Sequence, residues 1–213
     1  MKTILSTLAI ASLSIYVAQA QTYYGIKAGT NLSKVTNFED QKYNPSYFIT
    51  GYADIPLSER FSIQPGISLQ GKGTKMEGPI FSYDQKPTGV SKQTLNSMSI
   101  EIPVNAVYYL PAGSGDFFLS AGAYVGYNIS GKLKHTLTSN GKSTNDSEDV
   151  KFSGSNKMMN RWDAGLNFAV GYKFKNGFLV QGGYSLGLLN QNASKSSKNF
   201  QNRSMNFGVG YQF

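Results

Sequence analysis

The chain contains one histidine, His135, and no cysteine, so it offers no thiol nucleophile and only one imidazole that could act as general base. A serine hydrolase needs a serine, a histidine and an orienting carboxylate within hydrogen-bond reach of one another. Ser130 and Ser139 lie near His135 in the sequence, but no nucleophile-elbow motif surrounds either serine. We therefore assign no catalytic residues, interpret His135 as a solvated loop residue, and predict that the protein is not an enzyme.

The acidic residues Asp146, Glu148 and Asp149 lie close together and raise the question of a metal site. A calcium loop supplies oxygen ligands at fixed positions of a twelve-residue pattern, which this stretch lacks. Histidine and carboxylate residues with the spacing of a zinc site are absent from the sequence. The sequence predicts neither a metal site nor a cofactor, with a weak calcium site at the acidic stretch as the alternative.

The formal net charge is +8, which favours anionic partners over cationic ones. No nucleic-acid-binding module is recognisable, so nucleic acid is not an expected partner. In a chain exported to an outer membrane, the membrane lipid and the anionic head groups of lipopolysaccharide would be the expected partners of this charge. The alternative is that the positive charge only keeps the surface solvated.

Residues 1–20 have the plan of a secretory signal peptide. Lys2 provides the positive start, a moderately apolar stretch follows, and Ala18-Gln19-Ala20 provides a small-x-small cleavage site. An uncleaved anchor helix is the alternative, but the apolar run is shorter than the ~20 residues that span a bilayer. We expect one mature domain, residues 21–213.

The last eleven residues show the clearest periodicity, and it is that of a β-strand. Asn206, Gly208, Gly210 and Gln212 form a small or polar face. The opposite face is large and apolar and contains the residues that we interpret as an assembly signal for the barrel-assembly machinery: Phe207, Val209, Tyr211 and Phe213. An apolar edge strand invites aggregation unless the sheet closes, so this strand predicts a closed barrel.

The same alternation predicts eight strands near residues 22–32, 47–56, 60–73, 95–110, 117–131, 161–174, 178–189 and 203–213. Short turns alternate with the long polar loops 33–46, 74–94, 132–160 and 190–202. Asn176-Gly177 predicts a two-residue type I′ hairpin turn, and Pro65 predicts a local bulge. The pattern indicates an all-β fold, a closed eight-stranded antiparallel up-and-down transmembrane β-barrel with its termini in the periplasm and its long loops outside the cell.

The polar face of the predicted strands contains charged residues that would point into the lumen: Lys27, Asp54, Lys72, Glu101, Asp163 and Lys173. A soluble ligand-binding barrel would show the reverse arrangement, with its apolar face inward. We predict that the lumen charges form an ion-pair plug, because isolated charges in a dry interior are costly. Lys72 and Glu101 should approach each other, and a narrow polar conduit is the alternative to the plug.

Several short motifs resemble the PorT-like outer-membrane β-barrel family of Bacteroidetes over most of the mature chain. The resemblance rests on Ala53-Asp54-Ile55-Pro56-Leu57 before Phe61, Gln64-Pro65, Lys72-Gly73, Ile102-Pro103, Gly122 to Gly126-Tyr127, Asp163-x-Gly165 and Gly183-Tyr184-Ser185-Leu186-Gly187-Leu188. It implies an outer-membrane barrel of this size, and some members of the family take part in gliding-associated protein secretion.

Taken together, the sequence predicts a structural or surface-binding role through the long loops, with residues 132–160 as the most exposed contact. An accessory subunit of a protein-secretion or envelope-assembly machine is the alternative, and it would bring secretion-machine or surface proteins as partners. A narrow pore and an outer-membrane enzyme rank below both, since eight strands leave little space beyond that filled by side chains.

Overall fold

The computed structural model describes residues 21–38, 40–81, 84, 86–139, 141–193 and 198–213. The predicted signal peptide, residues 1–20, lies outside the described residues. No helix in the described part of the chain is long and apolar enough to cross a membrane.

Eight long antiparallel strands close into a ring, which confirms the predicted fold class. The strands in chain order are β1 (Tyr23–Val35), β2 (Gln41–Lys42), β3 (Asn44–Pro56), β4 (Phe61–Phe81), β5 (Pro87–Ala112), β6 (Gly115–Ser139), β7 (Lys142–Asp149), β8 (Trp162–Phe174), β9 (Phe178–Gly187) and β10 (Asn202–Gln212). Around the ring the order is β1, β3, β4, β5, β6, β8, β9 and β10, and β10 pairs with β1. The short strands β2 and β7 pair with β4 and β6 outside the ring.

The two ends of the barrel differ in their connections. Three short connections, β3–β4, β5–β6 and β8–β9, lie at the end where β1 begins and β10 finishes, which we call the turn end. The longer connections lie at the opposite end, which we call the loop end. Strict alternation of short and long connections is typical of outer-membrane barrels.

Strands β4 and β5 extend well beyond the predicted positions, so the predicted loop 74–94 is wrong. The ladder between them continues from Gly73↔Asn96 to Ile80↔Gly89 as one hairpin arm. This arm lacks the apolar alternation of a membrane span, and the alternation was the only strand signal in the sequence. Its backbone hydrogen bonds stabilise the arm where no lipid requires an apolar face.

The predicted loop 132–160 likewise contains regular structure. Strand β6 continues to Ser139 and pairs with β7 from Lys132↔Asp149 to Ser139↔Lys142. Every residue of β7 is exposed. The two arms together form a sheet that stands beyond the barrel at the loop end, and we call this sheet the loop-end extension.

Pro65 causes no bulge, contrary to the prediction. The β3–β4 ladder has the same register at Tyr52↔Gly66 and at Ile55↔Ile63, on either side of the proline. The β4–β5 ladder also keeps its register between Pro65↔Val104 and Ser68↔Glu101. The missing proline N–H therefore interrupts the hydrogen-bond ladder locally without inserting a residue.

The Asn176-Gly177 turn differs from the predicted type I′ turn. A type I′ turn requires positive φ at both central residues, but Gly177 has φ 88° and Asn176 has no positive φ. The Gly177 amide donates to the Phe174 carbonyl at 3.0 Å, and the Asn176 side chain accepts from the Phe178 amide at 3.1 Å. The connection is a three-residue loop whose last residue is left-handed.

We expect Gly177→Ala to lower the free energy of unfolding by more than ~1 kcal/mol, because alanine is strained at positive φ. A Cβ atom at this position would also lie only 2.3 Å from the backbone oxygen of Gln212. Gly113→Ala is the matched control, since Gly113 has φ 61° but open space around the added Cβ. Urea unfolding of both variants in detergent should show the larger loss at Gly177, and equal losses would exclude the steric contribution.

Candidate functional site

The barrel is inverted relative to a soluble protein, with apolar side chains outside and polar side chains inside. On β4, Ile67 is 68% exposed while its neighbour Ser68 is 2% exposed. On β5, Ile102 is 59% exposed while Glu101 is 3% exposed. An exposed apolar band of this kind suits a hydrocarbon surrounding, since in water it would be one large exposed apolar patch.

Lys72 lies at the centre of a buried group of charges, which we call the lumen triad: Lys72, Glu101 and Asp163. The Lys72 Nζ atom is 2.5 Å from Glu101 Oε1 and 3.0 Å from Asp163 Oδ2. Glu101 is on the neighbouring strand β5, and Asp163 is on β8. The predicted approach of Lys72 and Glu101 is confirmed. The link to Asp163 was not predicted, because sequence periodicity gives the face of a strand but not which distant strands meet across a lumen.

The two carboxylates of the lumen triad accept further hydrogen bonds. Asp163 accepts from Asn202 Nδ2 at 2.9 Å and from Gln191 Nε2 at 3.3 Å. Glu101 accepts from Ser99 Oγ at 3.0 Å. Buried ion pairs are stable only when the remaining lone pairs are also bonded. Sequence reasoning missed Gln191 and Asn202, because both residues fell in a stretch interpreted as a solvated loop.

The other three predicted lumen charges lie nearer the turn end and form no ion pair within 4.0 Å among the described residues. Lys27 Nζ donates to Gln64 Oε1 at 3.2 Å and lies 4.3 Å from the centre of the Tyr52 ring. Lys173 Nζ lies 4.4 Å from the centre of the Tyr109 ring. Cation–π contacts therefore replace the ion pairs that the sequence analysis expected for these lysines.

Asp54, the remaining predicted charge, is satisfied by neutral donors. It accepts from the Tyr109 hydroxyl at 3.0 Å, from Gln212 Nε2 at 3.1 Å and from Gln64 Nε2 at 3.3 Å. Charge-assisted hydrogen bonds of this kind stabilise a buried carboxylate without a cation in contact with it. The structure thus brings together Lys72, Glu101 and Asp163 but leaves Lys27, Asp54 and Lys173 outside that ion-paired group.

Two apolar layers interrupt the polar lumen. Near the turn end, Tyr52, Val107, Phe118 and Leu179 form one buried cluster. At the loop end, a second cluster covers the mouth of the barrel, and we call it the apolar cap: Val35, Val150, Phe152, Met159 and Phe200. Val150, Phe152 and Met159 are buried in this cap, so the predicted contact 132–160 is exposed only in part.

The space left inside the barrel is small. A polar cavity of about 70 Å³, lined by Lys27, Gln70 and Glu101 among others, lies inside the barrel. That volume holds only a few water molecules. A wider cavity of about 680 Å³ opens at the turn end, where Asp54, Tyr109 and Lys173 are among the lining residues. Side chains fill the middle of the barrel, as expected for eight strands.

The residues considered for catalysis or metal binding do not converge. His135 Nε2 is 3.9 Å from Glu148 Oε1, on the exposed β6–β7 arm. Ser139 Oγ donates to the Thr88 carbonyl at 3.0 Å rather than to the histidine. Across the described ranges, no three histidine, cysteine, aspartate or glutamate side chains form a group that could hold a metal ion.

Three residues of the predicted assembly signal, Phe207, Val209 and Tyr211, lie on the outer face of β10, and Phe213 directly follows the strand. Their exposed fractions are 53% for Phe207, 51% for Val209, 44% for Tyr211 and 72% for Phe213. Tyr211 and Phe213 contact each other edge to face, with ring centres 5.4 Å apart. Aromatic residues at this position suit the membrane–water interface.

Glu77 lies on the loop-end extension between two lysines, Lys42 and Lys92. Hydrogen bonds from Lys42 and then Lys92 lower the pKa of the Glu77 carboxyl from 4.5 to about 2. The stabilisation of the arm by the ionised carboxylate is therefore complete above about pH 4.5 and is lost as the pH falls through about 2.

We expect an NMR titration to show Glu77 still ionised at pH values where an ordinary glutamate has taken up its proton. The double variant Lys42→Gln/Lys92→Gln should return the Glu77 pKa towards 4.5. Lys142→Gln/Lys151→Gln, which removes two exposed lysines elsewhere at the loop end, is the control. An unchanged titration in the first variant would show that the two ion pairs do not persist in solution.

The chain is similar to solved structures of small outer-membrane proteins. Ail of Yersinia pestis, in complex with the heparin analogue sucrose octasulfate, is 16% identical, and the match covers 91% of this chain and 99% of that chain with a TM-score of 0.39. Neisserial surface protein A is 11% identical, with 90% of this chain and 95% of that chain covered and a TM-score of 0.45. OprG of Pseudomonas aeruginosa is 10% identical, with 91% of this chain and 97% of that chain covered and a TM-score of 0.38. No curated protein shows significant sequence similarity to the chain.

A sequence model of one protein family, described as "Outer membrane protein beta-barrel domain", matches residues 18–192. The match covers most of the chain and includes seven of the eight ring strands. The apolar outer band, the polar lumen and the closed ring agree with this assignment. The chain belongs to the outer membrane protein beta-barrel domain family.

Proposed function

We propose that this protein is a surface barrel of the outer membrane that works as a structural element and binds external partners through its loop-end extension. One observation carries the proposal: the lumen is packed with side chains, whereas two hairpin arms stand beyond the membrane-spanning band. On β5 the apolar outer face ends near Met98, and the strand starts eleven residues earlier, at Pro87. A filled lumen together with long arms outside the membrane-spanning band favours surface contacts over transport. No catalytic group is part of the proposal.

The proposed orientation places the turn end in the periplasm and the loop end outside the cell. Short periplasmic turns and long external loops are the usual arrangement of outer-membrane barrels, which supports this orientation. In the same arrangement, the outer face of β10 would be presented to the barrel-assembly machinery before insertion. Phe207, Val209, Tyr211 and Phe213 are the residues that we propose it recognises.

Cysteine labelling tests the orientation, since the chain has no native cysteine. Ser143→Cys places one thiol on β7, and Lys175→Cys places one in the β8–β9 turn. A membrane-impermeant maleimide should label the first variant in intact cells and the second only after lysis. The opposite pattern would contradict the proposed orientation.

Within the family, we further propose membership in the PorT-like group of Bacteroidetes, which the short motifs support. That placement favours a second role, as an accessory subunit of a protein-secretion or envelope-assembly machine. The two roles predict different companions: an external ligand for the surface barrel, and stoichiometric partner proteins for the accessory subunit.

Crosslinking in the native membrane distinguishes the two roles. The protein would be purified after mild crosslinking, beside a variant in which an Asn-Gly turn replaces residues 79–90. Gly78 and Ser91 are cross-strand partners, so the shortened arm can close as a hairpin. Stoichiometric secretion or assembly proteins in both samples would favour the accessory role, and companions that are missing only from the trimmed variant would favour surface binding. Recovery of the barrel without companions in both samples would contradict the accessory role.

A further inference from the structure

The outer face of the loop-end extension carries a group of lysines that the strand register places together. On β5, Ile102 and Ile100 face outward, and every second residue beyond them, including Thr94 and Lys92, continues that face. The cross-strand pairs extend the face to β4, β6 and β2. We call it the lysine face, and its cationic residues are Lys42, Lys75, Lys92, Lys132 and Lys134.

The register brings three of these lysines to one row, because Lys42 is the cross-strand partner of Lys75. Thr94 pairs with Lys75 on one side and with Lys134 on the other. The backbones of Lys75 and Lys134 are therefore two strand spacings apart, about 9.6 Å. Lys132 lies one row nearer the membrane, paired with Asn96. Flexible lysine side chains at this separation can reach a single anionic group above Thr94.

The positive charge of the face is only partly neutralised. Lys42 and Lys92 are bound to Glu77. Asp149 is the cross-strand partner of Lys132 but lies outside ion-pair distance of it. Among the described residues, Lys75, Lys132 and Lys134 have no ion-pair partner within 4.0 Å. Five lysines and two carboxylates thus leave an excess of positive charge around Thr94.

The lysine face continues the lipid-facing surface of the barrel. Below it on the same strand faces lie the exposed side chains Ile67, Ile100 and Ile102. Thr94 is four residues beyond Met98, which corresponds to about 10 Å along the membrane normal for a strand tilted by about 40°. A lipid whose acyl chains lie on the apolar band would place its head group at this height.

We propose that the lysine face binds the phosphate groups of a phosphorylated glycolipid of the outer leaflet. The acyl chains would pack on the outer side chains of β4 and β5, and Lys75, Lys132 and Lys134 would contact the phosphates. Basic clusters at the membrane surface bind anionic head groups in this way. The inference rests on the proposed orientation, because that orientation decides which leaflet supplies the glycolipid. It assigns the site to specific residues of the loop-end extension.

The test uses the whole protein in phosphatidylcholine nanodiscs that contain either diphosphoryl lipid A or dephosphorylated lipid A. Native mass spectrometry after release from the nanodisc would count the retained glycolipid over a concentration series. We expect the diphosphoryl form to be retained and the dephosphorylated form to be retained far less. Equal retention of both forms would overturn the proposal, since the acyl chains alone would then explain binding.

A matched pair of variants locates the site. Lys75→Gln/Lys132→Gln/Lys134→Gln should lower the apparent affinity for diphosphoryl lipid A by roughly 10- to 100-fold, given the usual contribution of a lysine near an anionic surface. Lys142→Gln/Lys151→Gln/Lys157→Gln removes the same charge from exposed positions off this face and should bind like the original protein. Equal losses in both variants would show a general charge effect and overturn the site.

Competition with excess inorganic phosphate distinguishes binding of the whole lipid from binding of a free phosphate ion. Retention of diphosphoryl lipid A should persist in phosphate buffer if chains and head group bind together, and complete displacement would show a simple phosphate site instead. Nanodiscs present lipid A on both sides, so this result does not depend on orientation. Cysteine labelling tests orientation separately, and a failure of either proposal can therefore be recognised without the other.

Discussion

Lys72→Met is expected to lower the free energy of unfolding of the barrel by about 3–5 kcal/mol, the usual cost of removing one partner of a buried ion pair. Lys72 is 3% exposed and is the only cation within 4.0 Å of Glu101 and Asp163 in the described part of the chain. Methionine keeps the length and apolar stem of the side chain. The loss therefore comes from two carboxylates that remain buried without their counter-ion.

Urea unfolding of the protein refolded into phospholipid vesicles would measure this effect. Lys142→Met is the control, because Lys142 is exposed on β7 and forms no ion pair among the described residues. The neutral triple variant Lys72→Met/Glu101→Gln/Asp163→Asn should recover most of the lost stability, since it removes the unpaired charges as well. A single variant as stable as the original protein would show that the lumen triad does not stabilise the barrel.

Ile102→Arg is expected to lower the free energy of membrane folding by roughly 2–4 kcal/mol, the usual cost of a cation near the bilayer midplane on a lipid-facing strand. Ile102 lies near the middle of the outer apolar face of β5, which runs from Tyr108 to Met98. In a soluble barrel, arginine at a position that is 59% exposed would change stability little. The loss of folding free energy caused by Ile102→Arg therefore distinguishes a membrane barrel from a soluble barrel.

Val90→Arg on the same strand and the same outer face is the matched control for this prediction. Val90 is 49% exposed, but it lies on the loop-end extension beyond the apolar band. We expect its folding into vesicles to be nearly unchanged. Equal effects at positions 90 and 102 would mean that the band of β5 does not contact hydrocarbon.

The membrane-spanning part of this fold could be predicted from the sequence, because lipid requires apolar side chains on the outer face of each strand. Each strand that crosses the membrane alternates apolar and polar side chains, as in Phe207-Gly208-Val209-Gly210, so both its existence and its facing follow from period two. The approach of Lys72 to Glu101 could be predicted from the shared polar face of two neighbouring strands. Their exact contact could not, because the register places Lys72 opposite Ser97 and Glu101 opposite Ser68, and the two long side chains close that offset.

The parts beyond the membrane could not be predicted. There water can hydrogen-bond to the backbone, and side chains need not alternate between apolar and polar. Polar strands such as β7 have the composition of a loop and are identified only by their pairing. The contact of Lys72 with Asp163 across the lumen depends on barrel curvature, which alternation does not encode. The apolar cap combines Val35, Phe152 and Phe200 from three separate segments, and no local pattern connects them.

The closure of the ring has a consequence for the order in which the chain can fold. The seam joins Gly25 to Gln212 and Val35 to Asn202, so its partners are nearly the whole chain apart. Contacts of such high sequence separation form late and slowly, since the entropy of the intervening chain must be lost first. Until β10 has been synthesised and exported, β1 has an open edge on that side. We therefore expect the nascent chain to need shielding from other strands during export, and the hydrogen bonds between β1 and β10 to form last.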